Sequence, residues 1–103
     1  MNIINLNELE GFSRADKVEA KKIPTGFSTQ CVNIVIQPGG VLPVHTTPVD
    51  VIFYVIKGTG IIEIGEESKE VSEGMFIDSP KAIPHGWKNP GKDELSVLVI
   101  KLV

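Results

Sequence analysis

Apolar residues along this chain gather in short runs rich in β-branched side chains: CVNIVI at 31–36, VIFYVI at 51–56, IIEI at 61–64, MFID at 75–78 and SVLVIKLV at 96–103. Each run is strand-length, and almost all are bounded by Gly, Pro or Asn. From residue 38 to 91 the punctuation is dense: Gly39-Gly40, Gly58-Thr59-Gly60, Gly65-Glu66-Glu67, Gly74, Ser79-Pro80, Pro84 and Asn89-Pro90-Gly91. No helix of about ten residues fits between such breaks, so this half reads as all-β. The N-terminal segment supports two readings. Ser13-Arg14-Ala15-Asp16 resembles a capping box opening a helix that Pro24 would stop, whereas VEAKKI alternates as an edge strand does. The alternation favours the strand.

Many short strands in 103 residues predict a sandwich or small barrel with a single core. The expected division is an N-terminal strand or arm over 1–30, packing on the barrel or on a partner, and the barrel proper over 31–103. VIFYVI is apolar at every position, which predicts a strand covered on both faces. A small barrel has one interior, so the outer cover is expected from a second copy, giving a homodimer.

The net charge of −3 comes from ten basic residues scattered among thirteen acidic ones, which argues against a nucleic-acid footprint. Lys21-Lys22, the one basic cluster, reads as a solvated face. Met1 is followed by NIINLNELEGFS, with no basic region leading into an apolar one, and VIFYVI is too short to span a bilayer. A cytoplasmic protein without membrane contact is expected. Cys31, the single cysteine, fits a reducing compartment and reads as a small core residue. Gly58-Thr59-Gly60 joins two apolar strands without a following helix, so it reads as a hairpin turn rather than a phosphate loop. Asn89 before Pro90-Gly91 reads as a turn residue. No Gly-x-Ser-x-Gly elbow or Cys–His neighbourhood supports a nucleophile.

His45 and His85 are the only histidines, and each stands near the start of a strand after a glycine and a short loop. Five residues separate Gly39 from His45, and six separate Val51 from Gly58; five residues separate Gly74 from Pro80, with His85 and then Asn89 beyond. These markers, with fifteen residues from Thr59 to Glu73 between the two segments, resemble the paired motifs of the cupins over roughly residues 31–101. The resemblance implies a small, single-domain, jelly-roll-like cupin β-barrel. It also implies a metal site: cupins hold a divalent transition metal such as Zn, Ni, Fe, Mn or Cu on three histidine or related side chains and a glutamate, ligands whose softness suits those ions.

Three positions depart from the pattern. Ala82 stands where the family has a glycine, Thr47 replaces the second histidine, and Val51 replaces the glutamate. His45 and His85 would then be the metal ligands that remain. A four-ligand structural zinc site is worth roughly 10–16 kcal/mol, so losing half the set costs on the order of 6 kcal/mol if ligands are equal and additive. Asp50 could substitute only if a bulge shifted its register, since neighbours in a strand face opposite ways. Val51 and Phe53 share a strand face, and Trp87 lies two residues after His85 on the same side. His45, Thr47, Val51, Phe53, His85 and Trp87 are therefore the expected lining of a pocket for a small organic ligand. The competing reading is a metal-dependent dioxygenase or isomerase ligated by His45 and His85.

Overall fold

A computed structural model describes residues 1–103. After a 3-10 turn at Leu6–Glu8, ten strands follow: β1 (Phe12–Ala15), β2 (Val18–Ile23), β3 (Gln30–Ile36), β4 (Val41–His45), β5 (Asp50–Lys57), β6 (Thr59–Ile64), β7 (Glu67–Ser72), β8 (Phe76–Ser79), β9 (His85–Lys88) and β10 (Leu95–Leu102). They form two antiparallel sheets, ordered β1-β2-β3-β10-β5-β8 and β4-β9-β6-β7, which face each other as a jelly-roll-like barrel. VEAKKI is a strand, β2, though not an edge one: it lies between β1 and β3 and pairs with β3 along its length.

Strand alternation builds one core between the sheets. On β5, Val51, Phe53 and Val55 are buried while Ile52, Tyr54 and Ile56 are only half-buried on the outer face. Register carries the same parity across the sheet, with Phe53 opposite Val99 and Val55 opposite Val97. Burying each such side chain contributes about 1.5–3 kcal/mol. VIFYVI is thus covered fully on one face, by its own chain. Cys31 falls on the outward parity of β3, beside Val32 and Ile34 that point in, and is half-buried rather than a core residue.

Two turns differ from their sequence readings. Gly58 does not close a hairpin: β5 and β6 lie in different sheets, and Gly58 turns the corner between them at φ +87, where an added Cβ would sit 2.4 Å from the Glu94 carbonyl. Only glycine fits such a close backbone approach at positive φ. Asn89 does more than turn the chain. Its buried amide donates to the Ile36 and Asp93 carbonyls, both at 2.8 Å, and its Oδ1 accepts from the Gly91 N–H at 3.1 Å. Backbone bonds also join Asn89 to Gly39 and Gly40. The first segment's glycines and the second segment's asparagine are therefore one structural knot.

Candidate functional site

The two histidines meet because β4 contains a bulge. Leu42 pairs with Trp87 and His45 with His85, so three steps on β4 match two on β9. One extra residue reverses the side-chain parity, and both buried Leu42 and half-buried His45 point between the sheets while Pro43 and Val44 stay exposed. Pro43 is tolerated because β4 is an edge strand. The His45 and His85 rings then lie edge to face with centroids 4.8 Å apart.

Each imidazole is fixed through Nδ1. His45 donates its Nδ1–H to the Pro43 carbonyl at 2.9 Å, which leaves the Nε2 lone pair free in the neutral ring. His85 Nδ1 is 2.7 Å from the buried Ser79 hydroxyl, and Phe53 packs edge-on against its ring at 5.1 Å. Burial pushes the His85 imidazole down from 6.5 to about 4, and the positive charges of His45 and Lys101 act in the same direction. His85 is neutral at pH 7.

Around the pair lies a cavity of about 250 Å³ lined by Val32, Ile34, Leu42, Val51, Phe53 and Val99, together with Arg14, His45, Thr46, Thr47, His85 and Lys101. Of the residues expected from sequence, His45, Thr47, Val51, Phe53 and His85 are brought together here. Trp87 is buried behind them, edge-on to Phe53 at 5.4 Å, and is not part of the lining. Its indole N–H is buried with no hydrogen-bond acceptor. The Thr47 hydroxyl donates to the Val49 carbonyl at 3.1 Å, within its own loop. Asp50 faces outward, as strand alternation requires, and its carboxylate accepts from the Lys81 backbone N–H at 2.8 Å. That bond, with Ala82 N–H donating to the Thr47 carbonyl at 2.9 Å, pins the 80–84 turn to the loop before β5.

Sequence reasoning missed Arg14 and Lys101. Lys101 was discoverable: it continues the inward parity of Val97 and Val99 on β10 and pairs with Val51. Arg14 carried no signal, since it enters the cavity from an irregular stretch of β1.

A match to the cupin domain family extends over residues 32–101, more than half of the chain. The chain is a cupin. Similar solved structures agree on the fold. The polyketide cyclase RemF from Streptomyces resistomycificus is 20% identical with a TM-score of 0.88, covering 98% of this cupin and 78% of that chain. KdgF from Halomonas sp. is 20% identical with a TM-score of 0.85, covering 98% and 93%. A predicted oxalate decarboxylase from Thermotoga maritima is 17% identical with a TM-score of 0.83, covering 99% and 100%. At these identities the likeness speaks for the barrel alone. No curated protein matches this cupin.

The donor set fits the family metal incompletely. Two imidazoles are present, but nowhere in the chain are three or more His, Cys, Asp or Glu side chains placed together so that they could hold a metal ion. Val51, at the glutamate position, is an apolar, fully buried part of the cavity wall. The centre therefore lacks the anionic ligand that balances a divalent charge.

Proposed function

We propose that this cupin binds a small organic molecule in the barrel cavity, in a metal site reduced to two histidines. The observation that carries the reading is the chemistry of the wall: where a ligating carboxylate would stand, Val51 extends an apolar surface formed by Phe53, Val99, Ile34 and Leu42. Ligand pockets have this composition, an apolar lining with a few placed polar groups. The polar groups are His45, His85 and the Thr46–Thr47 stretch, and each histidine presents Nε2 as its remaining ring nitrogen.

The test is a screen of small organic molecules followed by backbone amide shifts. The reading expects binders to shift His45, Val51, Phe53 and His85 together, and to lose affinity in both His45→Ala and His85→Ala. Binders that shift only outer-face residues, or that ignore both substitutions, would show that the cavity is a filled core.

A metal-dependent enzyme is the second reading, favoured by one observation. Both Nδ1 atoms are already held, by Pro43 O and Ser79 Oγ, which is how metal-binding imidazoles are commonly oriented. We further propose that the chain forms a homodimer through the outer face of the six-stranded sheet. Ile52, Tyr54, Ile56, Leu98 and Ile100 form a half-exposed apolar surface there. No helix is long and apolar enough to cross a membrane.

A further inference from the structure

The cavity carries more positive charge than the chain's composition would place there. Acidic residues outnumber basic ones thirteen to ten, yet the lining holds Arg14 and Lys101 without a single Asp or Glu. The one ion pair in the chain, Lys88–Glu63, lies in the other sheet. Arg14 and Lys101 thus reach the cavity with no carboxylate partner.

Their placement is built into the strands. Lys101 sits on the inward parity of β10, opposite Val51 on one side and Gln30 on the other. On β1, Ser13 pairs with Glu19 and Ala15 with Val18, which leaves Arg14 as the extra residue of a bulge. Bulges re-aim side chains, and this one brings an edge-strand arginine to the cavity mouth. Lys22 shares the inward parity of β2 at the same end, opposite Val32, but its ammonium lies over the Phe12 ring at 5.9 Å. It adds to the field while Arg14 and Lys101 stay free to pair.

Charge and apolar surface are segregated within the site. Ile34, Leu42, Val51, Phe53 and Val99 are buried and, with half-buried Val32, make the apolar floor, whereas Lys101 is half-buried and Arg14 exposed, which puts the cations toward solvent. Two unpaired cations beside a low-dielectric pocket repel each other, and a bound anion removes that cost. An inorganic anion would leave the apolar floor unfilled. An apolar cavity of about 150 Å³ accommodates benzene, so the volume here takes a ring or branched chain plus a carboxylate.

We propose that the cavity binds a small organic carboxylate, its apolar body on the Val51–Phe53 floor and its carboxylate held between Arg14 and Lys101. The inference rests on the small-molecule reading of the cavity and adds the chemical class. Arginine supplies two parallel N–H donors that match a carboxylate, and lysine adds a second charge.

The experiment titrates the full chain, at constant ionic strength, with benzoate and isovalerate, with their neutral counterparts benzyl alcohol and isoamyl alcohol, and with inorganic phosphate. Amide shifts of Val51, Phe53 and Val99 report the cavity. At least one acid is expected to bind about tenfold or more tighter than its alcohol. Arg14→Met and Lys101→Met should each weaken that acid about fivefold or more while leaving the alcohol within about twofold. Lys101→Gln serves if the methionine variant fails to fold, and Arg14 is exposed enough to substitute freely. Alcohols binding as tightly as acids, affinity for the acid unchanged in both variants, or phosphate reproducing the acid's shifts would overturn the carboxylate proposal while leaving the cavity a small-molecule site. No shift of these amides by any organic probe would overturn both.

Discussion

The segment from Gly74 to Asn89 keeps nearly all of its motif residues in hydrogen-bonded or buried positions, whereas the segment from Gly39 to Gly58 keeps its glycines and His45 but carries Thr47 and Val51 at two ligand positions. The difference separates what the motifs do for the barrel from what they do for chemistry. Gly39, Gly40, Gly58 and Asn89 are locked by backbone geometry, and their loss would break the fold. Thr47 and Val51 occupy ligand positions without disturbing it: the hydroxyl turns to Val49 O and the valine packs. The barrel is therefore complete with a threonine and a valine at these two positions.

The largest effect expected from this contrast is at Gly58. Gly58→Ala places a Cβ against the Glu94 carbonyl at a backbone φ of +87, and should cost about 3 kcal/mol or more in urea unfolding. A loss below about 1 kcal/mol would mean that the corner between the sheets is softer than described.

Next is the pH dependence from His85. The folded state holds this imidazole near 4 against an ordinary value of 6.5, so between those values the unfolded chain binds more protons. Its contribution to stability is complete above pH 6.5 and is lost as pH falls toward 4, on the order of 2–3 kcal/mol. Denaturation across that window should show a slope that is flatter in His85→Gln by this amount. Identical slopes would place His85 in water.

Val51→Glu sharpens the comparison by rebuilding the first segment. The carboxylate would enter the cavity from β5 beside His45 and His85, raising nickel affinity about tenfold or more in calorimetry. Metal-free protein should become less stable, because the new carboxylate would be buried without a partner. No gain in affinity would contradict the inward register of Val51.

The smallest effect is expected within the second segment, at its one departure. Ala82 adopts φ +64, a left-handed conformation that costs a residue with a Cβ about 1–2 kcal/mol. Ala82→Gly relieves that strain but gains unfolded-state freedom, so a net stabilisation of about 0.5 kcal/mol is expected from thermal melts. Destabilisation would mean that the methyl group packs usefully against the turn.

Much of the barrel was legible in the β-branched runs, since β3, β5 and β10 are defined by alternation over a shared core. The strands that escaped had physical reasons to. β1 is four residues interrupted by a bulge, β4 contains Pro43 and a bulge, and β7 is the charged edge strand ESKEVS; β9, only four residues long with a glycine in it, showed only as the shared side of His85 and Trp87. The candidate site was legible where parity is regular, as at Val51, Phe53 and His85. It was obscure where a bulge sets the direction, as at Arg14, and where depth decides, as at Trp87. His45 was found only through motif spacing; alternation from Leu42 would have turned it outward.

The most direct test of the central claim is the metal content of untagged protein purified without chelator, measured by elemental mass spectrometry, since a polyhistidine tag would carry metal of its own. A cavity that binds an organic ligand on a two-histidine remnant predicts well below one equivalent of any transition metal, unchanged in His45→Ala. About one equivalent of a single metal, lost in His45→Ala, would contradict it and make the histidine pair the core of a working metal centre.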